Sequence, residues 1–310
     1  MTRPMKSSGI EWLGDVPESW TKNKLFRLAE KMSSGGTPSS TNESYYGGDI
    51  PWIQSGDLTD GLVSETSKKI TQMGLDNSSA KIFSKGTLLV AMYGATIGKL
   101  GIMGINAAIN QACCAIELSP KLNQRFLYYV MLAMRDYLIM NAYGGGQSNI
   151  SQETLKQQYL FCPTIQEQQA IATYLDKACQ RIDDTIAVKS QQLETLTQYR
   201  KSIIHEAVTK GLDKQVMLQP SGIEWLGDVP THWEIKRIKD VTRLRDEKTS
   251  EKSELEDYLE LEDLSQWTGK ILSKRNTLAV ASDVMKFAEG DVLFGKLRPY
   301  LAKWAHVDFD

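Results

Sequence analysis

The chain has 310 residues, 41% hydrophobic and 24% charged, which is ample for two soluble domains. A formal charge of −2 gives no sign of the basic stripe of an autonomous, tight nucleic-acid binder, and the amino terminus lacks a signal-peptide apolar run. Four cysteines, Cys113, Cys114, Cys162 and Cys179, have no disulfide or C-x-x-C spacing, so a reduced, cytoplasmic protein without membrane spans is expected.

Ser8 to Trp20 reads SGIEWLGDVPESW, with Trp12 and Trp20 as packing anchors. Ser33 to Asp49 is a loop by its Gly, Pro, Ser and Asn content. Short β-branched or aromatic runs at Ile50–Ile53, Lys81–Phe83, Leu88–Tyr93 and Ala112–Leu118 predict strands. From Leu122 to Ala142, apolar residues at helical spacing (Phe126, Tyr129, Val130, Ala133, Tyr137, Leu138) predict an amphipathic helix, ended by the polar turn Tyr143 to Asn149. Thr164-Ile165-Gln166-Glu167 then fits a capping box, and nothing breaks the following helix before Lys210-Gly211. About 45 residues at 1.5 Å rise make a rod of roughly 68 Å. One face carries Ile171, Leu175, Ile182 and Ile186, and after a phase slip near Lys189 to Gln192 it continues as Leu193, Leu196, Tyr199 and Ile203. That spacing resembles a coiled-coil seam and predicts a partner helix.

After the rod, Ser221 to Trp233 reads SGIEWLGDVPTHW, identical at eleven of thirteen positions to the first segment. Trp225 and Trp233 repeat the anchors. Trp52 to Leu58 has a counterpart in Tyr258 to Leu264, and Gly86 to Lys99 in Gly290 to Lys303. Preserved order with a slowly shifting offset means two divergent copies of one domain. The second copy stops at the equivalent of position 106, and residues from about 235 onward are expected to pack poorly. The expected fold class is α+β: a strand-rich domain over 1–163, a long coiled-coil-type helix over 164–211, and an incomplete second copy over 212–310.

Catalytic signatures are missing. Gly290 to Lys296 has phosphate-loop spacing, but Leu297 stands where Ser or Thr must hold magnesium, and Arg298-Pro299 forbids the helix. His205, His232 and His306 are scattered, without metal-ligand spacing, and there is no nucleophile elbow or dinucleotide fingerprint. The residues describe a chain that does no chemistry alone.

The repeated SGIEWLGDVP, Ser34-Gly35-Gly36-Thr37-Pro38-Ser39, Tyr46 to Trp52, Tyr93-Gly94-Ala95-Thr96-Ile97-Gly98-Lys99, Gly145 to Ser151, and Gln166-Glu167-Gln168-Gln169 leading to His205 to Gly211 together resemble the specificity subunits of type I restriction-modification systems. The resemblance spans essentially the whole chain and implies one truncated within its second target-recognition domain. It further implies that each copy reads half of a bipartite site in double-stranded DNA and that the helix is the spacer. Two modification (methyltransferase) subunits would methylate adenine with S-adenosylmethionine, and restriction subunits would use ATP and Mg, so this chain itself would need no cofactor and no metal.

Expected DNA contacts are Tyr93, Thr96 and Lys99 around one glycine-rich turn and Gln147 and Asn149 in another, with Lys68 and Lys69 as weaker candidates. Amide side chains pair bidentately with adenine, and lysine addresses guanine or phosphate. The same turns would serve equally to shape the fold. The stripe on the rod would then pair with the same helix of another chain in a homodimer. A different reading makes the protein a non-catalytic coiled-coil adaptor whose globular ends bind proteins.

Overall fold

The computed structural model describes residues 3–142, 149–280 and 282–309. They form two compact units, Met1–Leu196 and Thr197–Asp310, divided within the long helix.

The first unit opens with a hairpin, β1 (Met5–Ser7) on β2 (Asp15–Pro17), followed by β3 (Thr21–Lys24), α1 (Leu25–Leu28) and β4 (Ala29–Ser34). The predicted loop is shorter than expected, because β4 runs to Ser34 and β5 (Tyr46–Ile53) begins at Tyr46. Next come β6 (Gly61–Val63), β7 (Lys68–Ile70), α2 (Gln72–Asp76), β8 (Ile82–Phe83), β9 (Leu88–Ala91), β10 (Leu100–Met103), β11 (Ala107–Ile109) and β12 (Cys113–Leu118). They build a five-stranded sheet, β4-β12-β9-β10-β6, and a four-stranded one, β7-β5-β11-β8.

Alternation explains the long apolar run. On β9, Leu88 and Val90 join a cluster with the helices, while Leu89 and Ala91 join a second cluster with Ile53, Phe83 and Ile109. On β12, Cys114 and Ile116 take the first side and Cys113 and Ala115 the second. Both strands are covered on both faces, so they read as continuous hydrophobic segments instead of alternating ones. Burying one Leu or Ile contributes roughly 1.5–3 kcal/mol. Strand propensities span only about 1 kcal/mol, so burial sets the register. Burial also pushes the Cys113 and Cys114 thiols up to about 12 and Cys162 to about 11. They stay protonated at neutral pH and act as apolar filler.

The predicted amphipathic helix is α3 (Gln124–Met140), capped by Asn123, whose Oδ1 accepts the Phe126 amide at 2.9 Å. After α4 (Gln152–Gln157), β13 (Tyr159–Cys162) returns to pair antiparallel with β3.

The long helix is α5 (Ile165–Lys210), 46 residues and about 69 Å at the ordinary rise. Thr164 Oγ1 accepts the Glu167 amide at 3.3 Å, one half of the expected capping box. The other half is not formed, because the Glu167 carboxylate is taken by Arg3 and by Trp20 Nε1. The neighbouring amides also dock the helix. Buried Gln168 accepts from Asn123 N at 2.8 Å and donates to Lys121 O and Pro163 O, and Gln169 accepts from Asn123 Nδ2.

Two turns later Asp176 accepts from Arg125 Nε at 2.8 Å and Tyr129 OH at 2.7 Å. Burial raises its pKa, but these hydrogen bonds and the Arg125 charge outweigh burial and hold the carboxyl below its ordinary 3.8. A depressed folded value means stability that is fully present above 3.8 and lost as pH falls through the lower folded value. Both side chains are more than a third exposed, so screening limits the contribution to about 1 kcal/mol or less. The thermal-midpoint difference between wild type and Asp176→Asn is therefore expected to stay constant above about pH 5 and shrink below pH 4. A difference that grows on acidification would contradict this assignment.

In the second unit, β14 (Leu218–Pro220) pairs with β15 (Asp228–Pro230) as β1 pairs with β2. There follow α6 (Ile238–Val241), β16 (Lys248–Thr249), β17 (Asp257–Tyr258), β18 (Arg275–Asn276), β19 (Val284–Met285), β20 (Val292–Phe294) and β21 (Trp304–His306). The repeat holds in detail. Asp57 Oδ2 accepts the Gln54 amide at 2.8 Å, and Asp263 Oδ2 accepts the Glu260 amide at 2.8 Å. Leu88 faces Ile102 across β9 and β10, and Val292 faces His306 across β20 and β21, both at an offset of 204. Packing differs, as expected. The described strands of this unit pair only two at a time, and Ile238 and Val241 of α6 are 78% and 61% exposed where Leu25 and Leu28 of α1 are buried. Trp225 is 76% exposed, which corrects its reading as an anchor, whereas Trp12 and Trp20 stack near Tyr137 and Phe126.

Candidate nucleic-acid interface

β9 and β10 are joined by the turn Tyr93 to Lys99, whose middle, Gly94–Thr96, is a 3-10 turn. Gly94 and Gly98 take φ values of +81° and +76°, the left-handed region that glycine enters without penalty. Bonds from Gly98 N to Ala91 O (2.9 Å), Ala91 N to Lys99 O (2.8 Å) and Lys99 N to Thr96 O (2.9 Å) close the hairpin.

The structure brings the two predicted glycine-rich turns together. Tyr93 and Asn149 form an antiparallel bridge, and Ile150 N donates to Met92 O at 2.7 Å. Burial raises the Tyr93 pKa, opposed by a hydrogen bond with Gln111, which in turn accepts from Thr37 Oγ1. Lys99 and Asn149 are exposed and Thr96 is half-buried. Phenol, hydroxyl, amide and ammonium groups thus lie along one hairpin end. Gln147 lies outside the described residues. Lys68 and Lys69 are exposed, but on β7, an edge strand of the other sheet, where they face Trp52 and Pro51.

Sequence reasoning missed Thr37, Gln111, Asp60 and Arg135. Arg135 Nε donates to Gly98 O at 2.9 Å, its Nη1 donates to Asp60 Oδ2 at 3.1 Å, and Asp60 Oδ1 accepts the Leu100 amide at 2.9 Å. The pair is less than a third exposed. It ties α3 to the turn. Asp60 itself has φ +63°, tolerable for Asp and Asn because their short side chains bond locally. Asp60→Asn keeps that backbone and removes the charge. It is expected to cost about 2 kcal/mol, the usual worth of a hydrogen bond to a charged group, in urea unfolding. A wild-type midpoint would show that Arg135 holds the turn without it.

The stripe on α5 is divided. Ile171 and Leu175 line an apolar groove of about 160 Å³ with Trp12, Trp20, Phe126 and Tyr129, so they face their own unit. Ile182, Ile186, Leu193, Leu196, Tyr199 and Ile203 are exposed to between 47% and 67%, a face that a lone helix cannot bury. Charge is divided as well. Residues 165–187 carry Glu167, Asp176, Asp183 and Asp184 against Lys177 and Arg181. Residues 188–210 carry Lys189, Arg200, Lys201 and Lys210 against Glu194 and Glu206.

Among the described residues no cluster of His, Cys, Asp and Glu could hold a metal ion, and no helix is long and apolar enough to cross a membrane. Fold and site together define a duplicated α+β unit that presents a polar turn on a rigid hairpin. Residues 17–198, more than half of the chain, match the type I restriction modification DNA specificity domain, and the chain belongs to that family. It is 29% identical over 240 residues to the type I restriction enzyme MjaIX specificity subunit of Methanocaldococcus jannaschii, covering 75% of this chain and 54% of that one. Against the MjaVIII specificity subunit of the same organism it is 23% identical over 242 residues, covering 77% and 53%. The chain thus spans about half the length of these curated relatives. A solved chain from work on the complex assembly and conformational transition of a type I R-M system shares the fold, with a TM-score of 0.53, 19% identity and coverage of 66% and 48%.

Proposed function

We propose that this chain is a non-catalytic, cytoplasmic DNA-recognition subunit that reads double-stranded DNA with the Tyr93–Lys99 turn, Asn149, and the Thr37–Gln111 pair beside it. The observation that carries this reading is the Tyr93–Asn149 bridge, which gathers separately predicted polar turns onto one hairpin end held by Arg135 and Asp60. Phosphate contacts position a reader and base-edge contacts specify. Exposed Lys99 suits the first task, and Asn149 and Gln111 suit the second. Methyl transfer and cleavage belong to modification and restriction subunits, which would bring S-adenosylmethionine, ATP and Mg, and whose basic surfaces would supply most of the phosphate clamp.

The exposed stripe is assigned to a second copy of this chain. Antiparallel pairing sets the acidic amino half of α5 against the basic carboxyl half of its partner, whereas parallel pairing opposes like halves.

Methylation-site sequencing of DNA from cells carrying the chain with its cognate modification subunit tests the reading. Asn149→Ala is expected to relax one position of the methylated sequence by about 1–3 kcal/mol of discrimination. Lys99→Ala should weaken binding evenly across sequences and lower the salt slope by about 0.9. An unchanged methylated sequence with Tyr93, Thr96, Lys99 and Asn149 all replaced would remove the turn from the interface.

A further inference from the structure

α3 is anchored at both ends by polar side chains. At its amino end Asn123 is gripped by Gln168 and Gln169 of α5, and just beyond it Arg125 and Tyr129 reach Asp176. Gln168 and Asp176 stand about 12 Å apart along the rod, so two attachments fix the angle at which α3 leaves it. Apolar packing does not fix that angle alone. Phe126, Tyr129 and Val130 of α3 and Ile171 and Leu175 of α5 line the apolar groove of about 160 Å³ instead of closing it.

The side chains between the two ends of α3 touch in sequence. The Arg125 guanidinium lies 4.7 Å from the centre of the Tyr128 ring, and Tyr128 OH donates to Asp60 O at 2.5 Å. Asp60 pairs with Arg135, whose Nε donates to Gly98 O in the reading turn. The approach is close, since a Cβ on Gly98 would lie 3.0 Å from Arg135 Cγ. Asp176, Arg125, Tyr128, Asp60 and Arg135 thus form one run of contacts from the rod to the Tyr93–Lys99 turn. Hydrogen bonds weaken steeply when bent, so such a run resists rotation more than apolar contact does.

Two copies joined through α5, as proposed above, carry two such turns, and the gap between the half-sites they reach is a matter of geometry. One extra base pair moves a half-site by about 3.4 Å along the duplex and rotates it by about 34°. Following it requires the turn to swing relative to the rod. We propose that Asp176, Arg125 and Tyr128 are positioning residues that hold the reading turn at one angle to α5 and thereby restrict the assembly to a single gap between half-sites. They act through α3 and Arg135, not through a base. The inference rests on the DNA reading of the turn and on the pairing of two copies.

The test uses the full chain assembled with its cognate modification subunit. Methylation-site sequencing gives the half-sites and the gap, and methylation is then compared on duplexes with that gap, one base pair fewer and one more. Asp176→Asn, Arg125→Gln and Tyr128→Phe are each expected to raise methylation at the altered gaps by about fivefold relative to the original gap, a factor in keeping with one partly exposed ion pair or one hydrogen bond. The bases of each half-site should stay the same. Asp176→Asn combined with Arg125→Gln should broaden the gap no further than either alone, because both remove one contact. Asp176→Glu keeps the charge and should keep the wild-type profile, as should Asp184→Asn, which removes a charge two turns beyond the contact. A pair that merely stabilised the fold would lower methylation at every gap in proportion, and that unchanged ratio overturns the proposal. Equal broadening by Asp184→Asn overturns it too. If the wild-type assembly methylates an undivided site, or one indifferent to the turn residues, the earlier reading fails and this one with it. A divided wild-type site whose gap ratios match in all three variants removes this inference alone.

Discussion

Replacing Gly35 by alanine is expected to destabilise the first unit by about 3 kcal/mol or more, although it adds a single methyl group. A Cβ there would lie 2.6 Å from the Ile109 carbonyl carbon and closer still to its oxygen, and a backbone carbonyl held in β11 cannot give way as a flexible side chain can. Gly36 N donates to that same Ile109 oxygen at 3.0 Å, Trp52 Nε1 donates to Gly36 O at 3.1 Å, and Tyr46 OH donates to Pro38 O at 2.6 Å. The whole Ser34–Ser39 loop is thereby fastened to the four-stranded sheet. The fastening carries Thr37 to Gln111 and so to Tyr93, on the turn proposed above to read DNA. Urea unfolding of Gly35→Ala beside Ser39→Ala, an exposed position on the same loop, measures the effect. A Gly35→Ala midpoint equal to that of Ser39→Ala would mean that the loop can lift off the sheet without loss.

The second large effect is expected on α5. Ile182→Glu combined with Leu196→Glu should convert a dimer to monomers in sedimentation equilibrium while the helical circular dichroism stays unchanged. Each buried aliphatic side chain is worth roughly 1.5–3 kcal/mol, and two positions on two helices put the loss at about 4 kcal/mol or more, a thousandfold in Kd. Helicity is expected to be retained because both side chains are mostly exposed within one chain, 59% and 62%, so their replacement costs little intramolecular packing. A wild-type chain that sediments as a monomer at micromolar concentration, with the helix fully formed, would withdraw the second copy as the occupant of this face.

Much of this architecture was legible before any coordinates. The Leu88–Tyr93 and Ala112–Leu118 strands, the Leu122–Ala142 helix and the rod ending at Lys210 each follow from local pattern, and the repeat follows from near-identity at Ser8 and Ser221. Long-range partners were not legible. The Glu167 carboxylate fits a capping box by spacing, yet Arg3 and Trp20 reach it from more than 140 positions away. Spacing also placed Ile171 and Leu175 on the outer stripe, while the fold turns them toward Trp12 and Trp20. At the candidate interface, glycine marks the turns of Tyr93, Thr96, Lys99 and Asn149, which makes these residues candidates from sequence alone. Asp60 and Arg135 carry no such local signal, since their role exists only once α3 crosses the hairpin. Gly35 and Gly36 were the missed pointer to Thr37, because adjacent glycines mark close backbone approach.

The hairpin common to the two copies separates what is held from what is displayed. Val292 opposite His306 repeats Leu88 opposite Ile102, although hardly one side chain at the tip is retained. Outward residues can thus be exchanged one at a time while the strands beneath keep their pairing, so a new preference can arise by point substitution without a passage through unfolded intermediates.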